Sequence, residues 1–217
     1  MQQLDHIVVA APDLELAKTE FANATGVVPA DGGPHPGRGT RNALVAFESP
    51  VGVGSYLEII APDPEQTLAG TNGEKFANLP APELLHWAVR TNDLDSVAEV
   101  AKQFGLAPGA VYPMSRATPQ GERLNWRLMG VAGHSYGGLL PFYIDWLDCP
   151  HPALSAPVVG SLDEVRVSLP STQVLGFIES VEGVNSQGAA AELRVGFSSA
   201  KGRVEYLSAA PAGFGFG

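Results

Sequence analysis

Apolar side chains in this chain recur with two different periods. Residues 4–9 form a short apolar run that predicts a strand, and residues 14–21 carry apolar side chains at helical spacing. Asp13 can accept a hydrogen bond from a free N–H of the first helical turn, and Gly26 can end the helix in the left-handed conformation. The chain is therefore predicted to open with a strand and a capped helix.

The same strand and helix recur further along without a gap. Residues 84–89 repeat the apolar run, with His86 where the first copy has His6, and Asp93 repeats the cap at Asp13. A duplicated unit of this kind predicts two copies of one strand–helix–strand module. Each copy is expected to continue with two or three strands, placed at 40–47 and 55–60 in the first and at 123–129 and 141–146 in the second.

A third segment after Pro157 begins like the other two. Residues 162–167 are expected to form a strand and residues 172–181 a helix, with Glu164 where the histidines stand. Two strands, at 192–197 and 203–207, would complete a shortened third copy. We therefore predict modules at 1–79, 80–156 and 157–217, with a Gly/Pro-rich turn at 31–39 and a loose tail at 212–217.

Composition narrows the class of protein. Of 217 residues, 45% are hydrophobic and 17% charged, as in ordinary globular proteins. The formal charge of -10 argues against nucleic acid or an anionic membrane as a partner. Cys149 is the single cysteine, which suits a reducing compartment. No secretory signal is visible and no apolar run reaches the ~20 residues of a membrane span, so we expect a cytoplasmic protein.

Each copy also places two metal-binding residue types inside apolar strands. His6 and His86 lie in the opening strands, and Glu58 and Asp145 lie in the closing strands. A carboxylate is costly to bury unless something pairs with it, and imidazole with carboxylate forms a donor set suited to a divalent metal. If the modules pack as pseudo-twofold partners, the four side chains could converge. Read singly, each residue could instead lie in the core or on a solvated sheet face.

These residues resemble the vicinal oxygen chelate superfamily and, within it, the glyoxalase-like group of the glyoxalase, bleomycin-resistance and dioxygenase type. The resemblance rests on residues 4–8 and 85–89 as module openings, on 56–59 and 141–146 as closing strands, and on 39–43. It implies an α+β fold of paired βαβββ modules that form a curled mixed sheet around a cleft, with the shortened third module at the C-terminus.

The resemblance further implies a site and a chemistry. Its metal ligands would be His6, Glu58, His86 and Asp145 around one divalent ion, which could be Zn, Ni, Fe, Mn or Mg. Glu58 or Asp145 would act as the catalytic base. Asp145 is one methylene shorter than the usual Glu, and a site of two histidines and one carboxylate would resemble the family's oxygenases more than its isomerases.

The expected activity is that of a metal-dependent lyase or isomerase that chelates a small oxygenated substrate. A metal-free module that binds small molecules or drugs and an iron-dependent ring-cleaving dioxygenase are the alternatives. The protein could act as a monomer or a homodimer. An inward arginine could hold a substrate carboxylate, whereas an outward one would only be solvated. The candidates for substrate binding are Arg41, Asn42, Arg116, Asn125 and Arg127.

The remaining histidines and the cysteine are given no catalytic role. His35 lies in the Gly/Pro-rich segment, where it might otherwise cover the site, and we expect it to be exposed. The same expectation applies to His134 and His151. Cys149 has no neighbouring base in the sequence. Strand tryptophans are more often core residues than the wall of a substrate pocket.

Overall fold

The structure, a computed structural model, describes residues 2–49, 54–118 and 121–208. The strands are β1 (Gln3–Ala10), β2 (Ala30–His35), β3 (Thr40–Phe47), β4 (Tyr56–Pro62), β5 (Glu83–Arg90), β6 (Ala107–Ala117), β7 (Arg123–Ala132), β8 (Phe142–Asp145), β9 (Val158–Leu169), β10 (Asn185–Gly188), β11 (Glu192–Ser199) and β12 (Gly202–Ser208). The α-helices are α1 (Leu14–Thr25), α2 (Asn72–Ala77), α3 (Leu94–Gln103) and α4 (Thr172–Ile178). Short 3-10 turns occupy Gly137–Leu139 and Pro152–Leu154.

Within the described residues, the strands form one mixed sheet of 12 strands in the order β12-β11-β9-β3-β4-β1-β5-β8-β7-β6. In addition, β2 pairs with β3, and β10 pairs with β9. The opening strands β1 and β5 are antiparallel neighbours, β4 lies parallel to β1, and β8 lies parallel to β5. This arrangement confirms the predicted α+β fold of paired βαβββ modules.

The helix ends follow the predicted caps. The Asp13 carboxylate accepts a hydrogen bond from the Leu16 N–H at 2.9 Å, and Asp93 accepts one from the Ser96 N–H at 2.9 Å. Gly26 ends α1 with a φ of 85°, a left-handed conformation that costs a glycine little. These local contacts explain why the sequence alone was sufficient to predict where α1 and α3 begin.

The third module keeps the order of elements but not their pairing. In the first two modules the opening strand pairs parallel with the closing strand, whereas β9 pairs antiparallel with β11 and parallel with the short β10. β9 also joins the edge of β3 in parallel, through Ala46 and Val158. The third module therefore extends the first module's side of the sheet. The three module boundaries remain predictions.

The structure of residues 31–39 contradicts the predicted Gly/Pro-rich turn. We expected a turn there, but residues 30–35 form β2, which pairs antiparallel with β3. The register of this pairing shifts between Asp31 and Gly33, and Gly33 has a φ of 125°. Pro34 is tolerated because β2 pairs only with β3 among the described strands. Strand β6 and helix α2 were not predicted, α4 ends earlier than expected, and the tail at 212–217 lies outside the described residues.

The two faces of the sheet bury two separate apolar clusters. Along β1, Ile7 and Val9 point to the larger cluster under the helices, while Val8 and Ala10 point to a smaller one on the opposite face. Because strand side chains alternate between faces, His6 shares its face with Val8. The smaller cluster is the environment of the candidate site.

Among the described residues, no helix combines the length and the apolar character that crossing a bilayer would require.

Candidate functional site

A pocket opens on the face of the sheet that carries the smaller cluster. Its volume is about 100 Å³, whereas one water needs ~10–15 Å³, so it has room for a small molecule. The polar groups that line it include His6, His35, Asn42, Glu58, His86 and Arg116. The aromatic part of the lining is formed by Tyr56, Trp126, Phe142 and Trp146.

A β-bulge places His6 and its neighbour Asp5 on the same side of β1. The pairing of β1 with β5 shifts register between Leu4 and His6, which leaves Asp5 as an extra residue. The Asp5 carboxylate thereby reaches back to His6, with 2.5 Å between Oδ1 and the ring Nδ1. A carboxylate accepts only, so Nδ1 carries the hydrogen and Nε2 presents its lone pair to the pocket when the ring is neutral.

Asp5 is fully buried and is held by three donors. Besides His6, the Trp146 Nε1–H donates to Oδ2 at 3.0 Å, and the His151 Nε2–H donates to the same oxygen at 2.9 Å. Burial alone would raise the pKa of this carboxyl, but the hydrogen bonds with His151 and His6 outweigh it and hold that pKa well below its usual range. Asp5 is therefore a buried anion that fixes the orientation of His6.

Glu58 faces His6 across the pocket from the neighbouring strand β4. Its Oε1 accepts a hydrogen bond from the Asn42 amide at 2.6 Å, and its Oε2 lies 3.6 Å from His6 Nε2. The His35 Nε2 lies 3.9 Å from Oε1 on the other side. Glu58 thus lies between two imidazoles, and Asn42 fixes its position.

His35 and His151 are buried, so the prediction that both are exposed was wrong. His35 ends β2, and its Nδ1 lies 3.1 Å from the Thr40 hydroxyl. Burial lowers the pKa of the His35 imidazole, and this effect outweighs the attraction of Glu58. His151 packs behind the pocket against Asp5. By contrast, His134 is half-buried outside the pocket, with hydrogen bonds to its own loop.

His86 also lines the pocket, from the opening strand of the second module. Burial lowers the pKa of its imidazole to about 4, so the ring is neutral near pH 7. Its Nδ1 lies 3.1 Å from the Trp87 N–H on the neighbouring backbone. The pairing of β5 with β1 shifts just before His86, between Val8 and Val9, so that Leu85 is the extra residue. The second module therefore repeats the bulge of the first with an apolar residue.

The prediction that Asp145 lies with the other three residues was wrong. Along β8, Phe142 and Ile144 line the pocket, whereas Asp145 points to the opposite face. There it forms an ion pair with Arg127 and accepts a hydrogen bond from the Leu147 N–H at 2.9 Å. The structure therefore brings together His6, His86 and Glu58 but not Asp145.

The strand pairings explain this error. Glu58 pairs with Val8, two residues after His6, while Phe142 pairs with Ala88, two residues after His86. Phe142 is thus the structural counterpart of Glu58, and Asp145 lies three residues further on. The sequence alignment of the closing strands placed them in the wrong register.

Of the five predicted substrate-binding residues, two line the pocket. Asn42 and Arg116 do so, and both are buried. Arg41 points away from the pocket, with its nearest carboxylate 3.5 Å away on Glu15. Asn125 is exposed and donates its backbone N–H to the Cys149 sulfur at 3.1 Å. Arg127 lies with Asp145 on the face opposite the pocket, so Arg41, Asn125 and Arg127, which were predicted to bind substrate, all lie outside the pocket.

Sequence reasoning missed several residues of this site. Asp5 was visible as a charged residue inside an apolar run, which is a signal that it needs buried partners. His35 could have been found only if β2 had been recognised as a strand. No local signal connects His151 with Asp5, because the two residues are brought together by the fold. Trp126 and Trp146 line the pocket, while Trp87 is a core residue as expected.

The side chains of this pocket meet the requirements of a metal site only in part. Within the described ranges, no group of three or more His, Cys, Asp or Glu side chains is arranged so that it could hold a metal ion. One pair does have a suitable separation, because His6 Nε2 and Glu58 Oε2 lie 3.6 Å apart. Two ligands at ~2.1 Å from one tetrahedral ion would be about 3.4 Å apart. The pair therefore fits two ligands of one ion, with His86 as a further nitrogen donor in the same pocket.

The duplicated βαβββ sheet, with imidazoles and a carboxylate in one pocket, places the protein in the glyoxalase-like class of folds. The family model described as a glyoxalase-like domain matches residues 4–182. The chain therefore belongs to the glyoxalase-like domain family, which lies within the vicinal oxygen chelate superfamily. The comparison with curated proteins gave no match.

Several solved structures are similar to this chain, and the one from Staphylococcus aureus shares its fold. A crystal structure of a hypothetical protein from Staphylococcus aureus is 16% identical, with a TM-score of 0.63, over 95% of this chain and 85% of that chain. Methylmalonyl-CoA epimerase from Mycobacterium tuberculosis is 24% identical, with a TM-score of 0.42, over 70% and 91% of the two chains. A methylmalonyl-CoA epimerase in complex with methylmalonyl-CoA and NH4+ is 21% identical, with a TM-score of 0.49, over 70% and 99%.

Proposed function

We propose that the protein is a metal-dependent enzyme of the lyase or isomerase type that acts on a small oxygenated molecule in this pocket. The observation that carries the proposal is the 3.6 Å separation of His6 Nε2 and Glu58 Oε2. This separation is too long for a hydrogen bond and suits two ligands of one ion. The buried Asp5 behind His6 adds the carboxylate support that metal-ligating histidines commonly have.

His6 and Glu58 are the residues that would hold the ion, and His86 is a further nitrogen donor in the same pocket. Burial keeps His86 neutral, which is the state a metal ligand requires. Asp5 keeps the hydrogen of His6 on Nδ1, so that Nε2 remains an electron-pair donor. When bound, a divalent ion would act as a Lewis acid and stabilise negative charge that develops on the substrate oxygens.

Glu58 is the base in this proposal, because Asp145 lies on the other face of the sheet. It would take a proton from the carbon beside a substrate carbonyl. Asn42 holds Oε1 in place during this step. His35, whose pKa is lowered by burial, lies 3.9 Å from the same oxygen and could share the proton. This second proton acceptor supports isomerase or lyase chemistry.

One observation favours a second candidate, an iron-dependent dioxygenase. With Asp145 outside the pocket, the donor set is reduced to His6, His86 and Glu58. Two histidines and one carboxylate are typical of non-haem Fe(II) oxygenases. A metal-free binding module is the outcome to be expected if the His6–Glu58 pair holds no ion.

The test is elemental analysis of protein purified without chelator, together with the His6→Ala and Glu58→Gln variants. We expect about one divalent ion per chain in the wild type and loss of most of it in both variants. His134→Ala is the matched control, because His134 lies outside the pocket, and it should retain the metal. Iron with oxygen consumption would indicate the dioxygenase. Equal metal content in the wild type and both variants would contradict the metal site.

We also propose that the substrate is a small molecule and that the protein is cytoplasmic. It acts in this proposal as a monomer or a homodimer, without binding nucleic acid or membrane. The pocket volume of about 100 Å³ supports a small ligand.

A further inference from the structure

Arg116 is a buried cation that no carboxylate of the described residues approaches within ion-pair distance. It lines the pocket near the end of β6, only 5% of it is exposed, and within the described part of the chain it makes no hydrogen bond or ion pair. A buried guanidinium without an anion destabilises a folded protein. These surroundings are typical of a ligand-binding arginine, whose partner anion is supplied by a bound molecule.

Two glycines allow the backbone of β2 to pack closely against Asn42, Ala117 and this guanidinium. A Cβ atom on Gly32 would lie 2.2 Å from the Asn42 Oδ1 and 3.3 Å from an Arg116 guanidinium nitrogen. A Cβ atom on Gly33 would lie 2.6 Å from the Ala117 carbonyl oxygen. The Asn42 Oδ1 is itself buried and has no hydrogen-bond partner among the described residues. Asn42 and Arg116 thus both line the pocket beside β2, and Arg116 brings a positive charge to it.

The charges around Arg116 in the pocket favour an anion. Arg38 also lines the pocket, and its side-chain contact is with the Met114 sulfur at 3.9 Å, with no carboxylate within ion-pair distance among the described residues. Among the described residues that line the pocket, the one carboxylate is Glu58, which attracts Arg116 electrostatically but receives its hydrogen bond from Asn42. The chain as a whole carries a formal charge of -10, so two arginines here are a local exception. They can attract an anion to a cleft that an acidic surface would otherwise disfavour.

We propose that the substrate is a small carboxylic acid whose carboxylate binds the Arg116 guanidinium. A planar carboxylate matches a guanidinium with two parallel hydrogen bonds. The remaining substrate oxygens would then face His6 and Glu58, and an apolar substituent would pack on Trp126 and Phe142. This inference deepens the proposed function by naming the substrate class of the same pocket.

The test compares acids with their neutral amides in protein freed of metal by a chelator. The probes are 3-phenylpropanoate, 3-phenyllactate and phenylpyruvate, each paired with its amide, and binding is measured by isothermal titration calorimetry. We expect the acids to bind at least about tenfold more tightly than the amides, as for a charge-assisted pair. Arg116→Gln should abolish this preference. If no acid binds more tightly than its amide, or if Arg116→Gln keeps the preference, the proposal is wrong.

Arg123→Gln is the matched control. Arg123 lies on the strand that pairs with β6, is exposed, and binds the Ser115 hydroxyl at 2.8 Å, so its loss should leave acid binding unchanged. Thermal unfolding without ligand gives a second readout. Arg116→Gln should leave the unfolding temperature unchanged or raise it, because an unpaired buried charge is removed. A clear decrease would indicate a structural role and contradict the proposal.

This experiment separates the two proposals. The preference for acids is measured without metal, so it can hold even if the His6–Glu58 pair binds no ion. Conversely, a metal site confirmed by His6→Ala would survive a failure of the acid series.

Discussion

The two opening strands of the duplicated sheet have the same backbone and different chemistry. Each carries a β-bulge immediately before its histidine, but the extra residue is Asp5 in β1 and Leu85 in β5. His6 consequently has a carboxylate behind its ring, while the Nδ1 of His86 lies against backbone. Both opening strands therefore keep the β-bulge before the histidine, but only β1 has a carboxylate that holds the imidazole ring.

The closing strands differ in the same sense. Glu58 pairs with Val8 in the first module, and Phe142 takes the equivalent place opposite Ala88 in the second. The phenyl ring of Phe142 contacts both histidine rings, with centroids 5.4 Å from His6 and 5.1 Å from His86. The first module therefore supplies the polar corner of the pocket, and the second supplies much of its apolar wall.

Replacement of Asp5 by leucine would make the first bulge like the second and should have the largest effect. Asp5→Leu leaves three buried donors without their acceptor, on His6, Trp146 and His151. We expect the free energy of unfolding to fall by about 3 kcal/mol or more, measured by urea denaturation at pH 7. Asp5→Asn retains an acceptor oxygen and should cost less. A leucine variant as stable as the wild type would show that the buried Asp5 carboxylate does not contribute to the free energy of unfolding.

The pH dependence of the free energy of unfolding should test whether His86, in the second module, is kept neutral by burial. Its folded pKa of about 4 lies below the unfolded value of about 6.5, so only the unfolded chain is protonated between these values. Stability is therefore retained above pH 6.5 and lost as the pH falls toward 4. Between pH 7 and pH 5 we expect a loss of about 2 kcal/mol from this group in chelator-treated protein.

The non-titrating variant His86→Gln is the control for this prediction. Its stability should change less over the same pH range, and the difference between the two urea-denaturation profiles isolates His86. Identical profiles would mean that the ring is not kept neutral by burial. The Asp5 carboxyl acts in a separate window, because its lowered pKa places its loss of stability below about pH 4.

Asp145→Asn should have the smallest effect. Asp145 lies on the face of the sheet opposite the pocket, and its partner Arg127 has a half-exposed side chain, so the ion pair contributes at most about 1 kcal/mol. Metal content and ligand binding should equal those of the wild type, in contrast to Glu58→Gln. Loss of metal in Asp145→Asn would support the predicted four-ligand site and contradict the register of β8 against β5.

The sequence was sufficient for the features that depend on neighbouring residues. Asp13 and Gly26 mark the limits of α1 because each acts within its own helix end. The constant spacing of His6 and His86 identified the two opening strands, because their apolar runs are clear. These features depend on local hydrogen bonds and on period, both of which can be read from a single sequence.

The features that the sequence missed depend on contacts between distant segments. The side that Asp145 faces depends on the register of β8 against β5, and a shift of one residue reverses it. The burial of His35 follows from β2 pairing with β3, in a segment whose glycines and proline resemble a turn. The contact between His151 and Asp5 joins residues at opposite ends of the paired modules.

A crystal structure of the metal-loaded protein with an anomalous difference map would test the central claim most directly. The account predicts one peak at ligand distance, about 2.0–2.2 Å, from both His6 Nε2 and a Glu58 carboxylate oxygen. The same crystal form of Glu58→Gln should lack the peak. A peak beside Asp145 on the opposite face of the sheet, or full occupancy in Glu58→Gln, would contradict it.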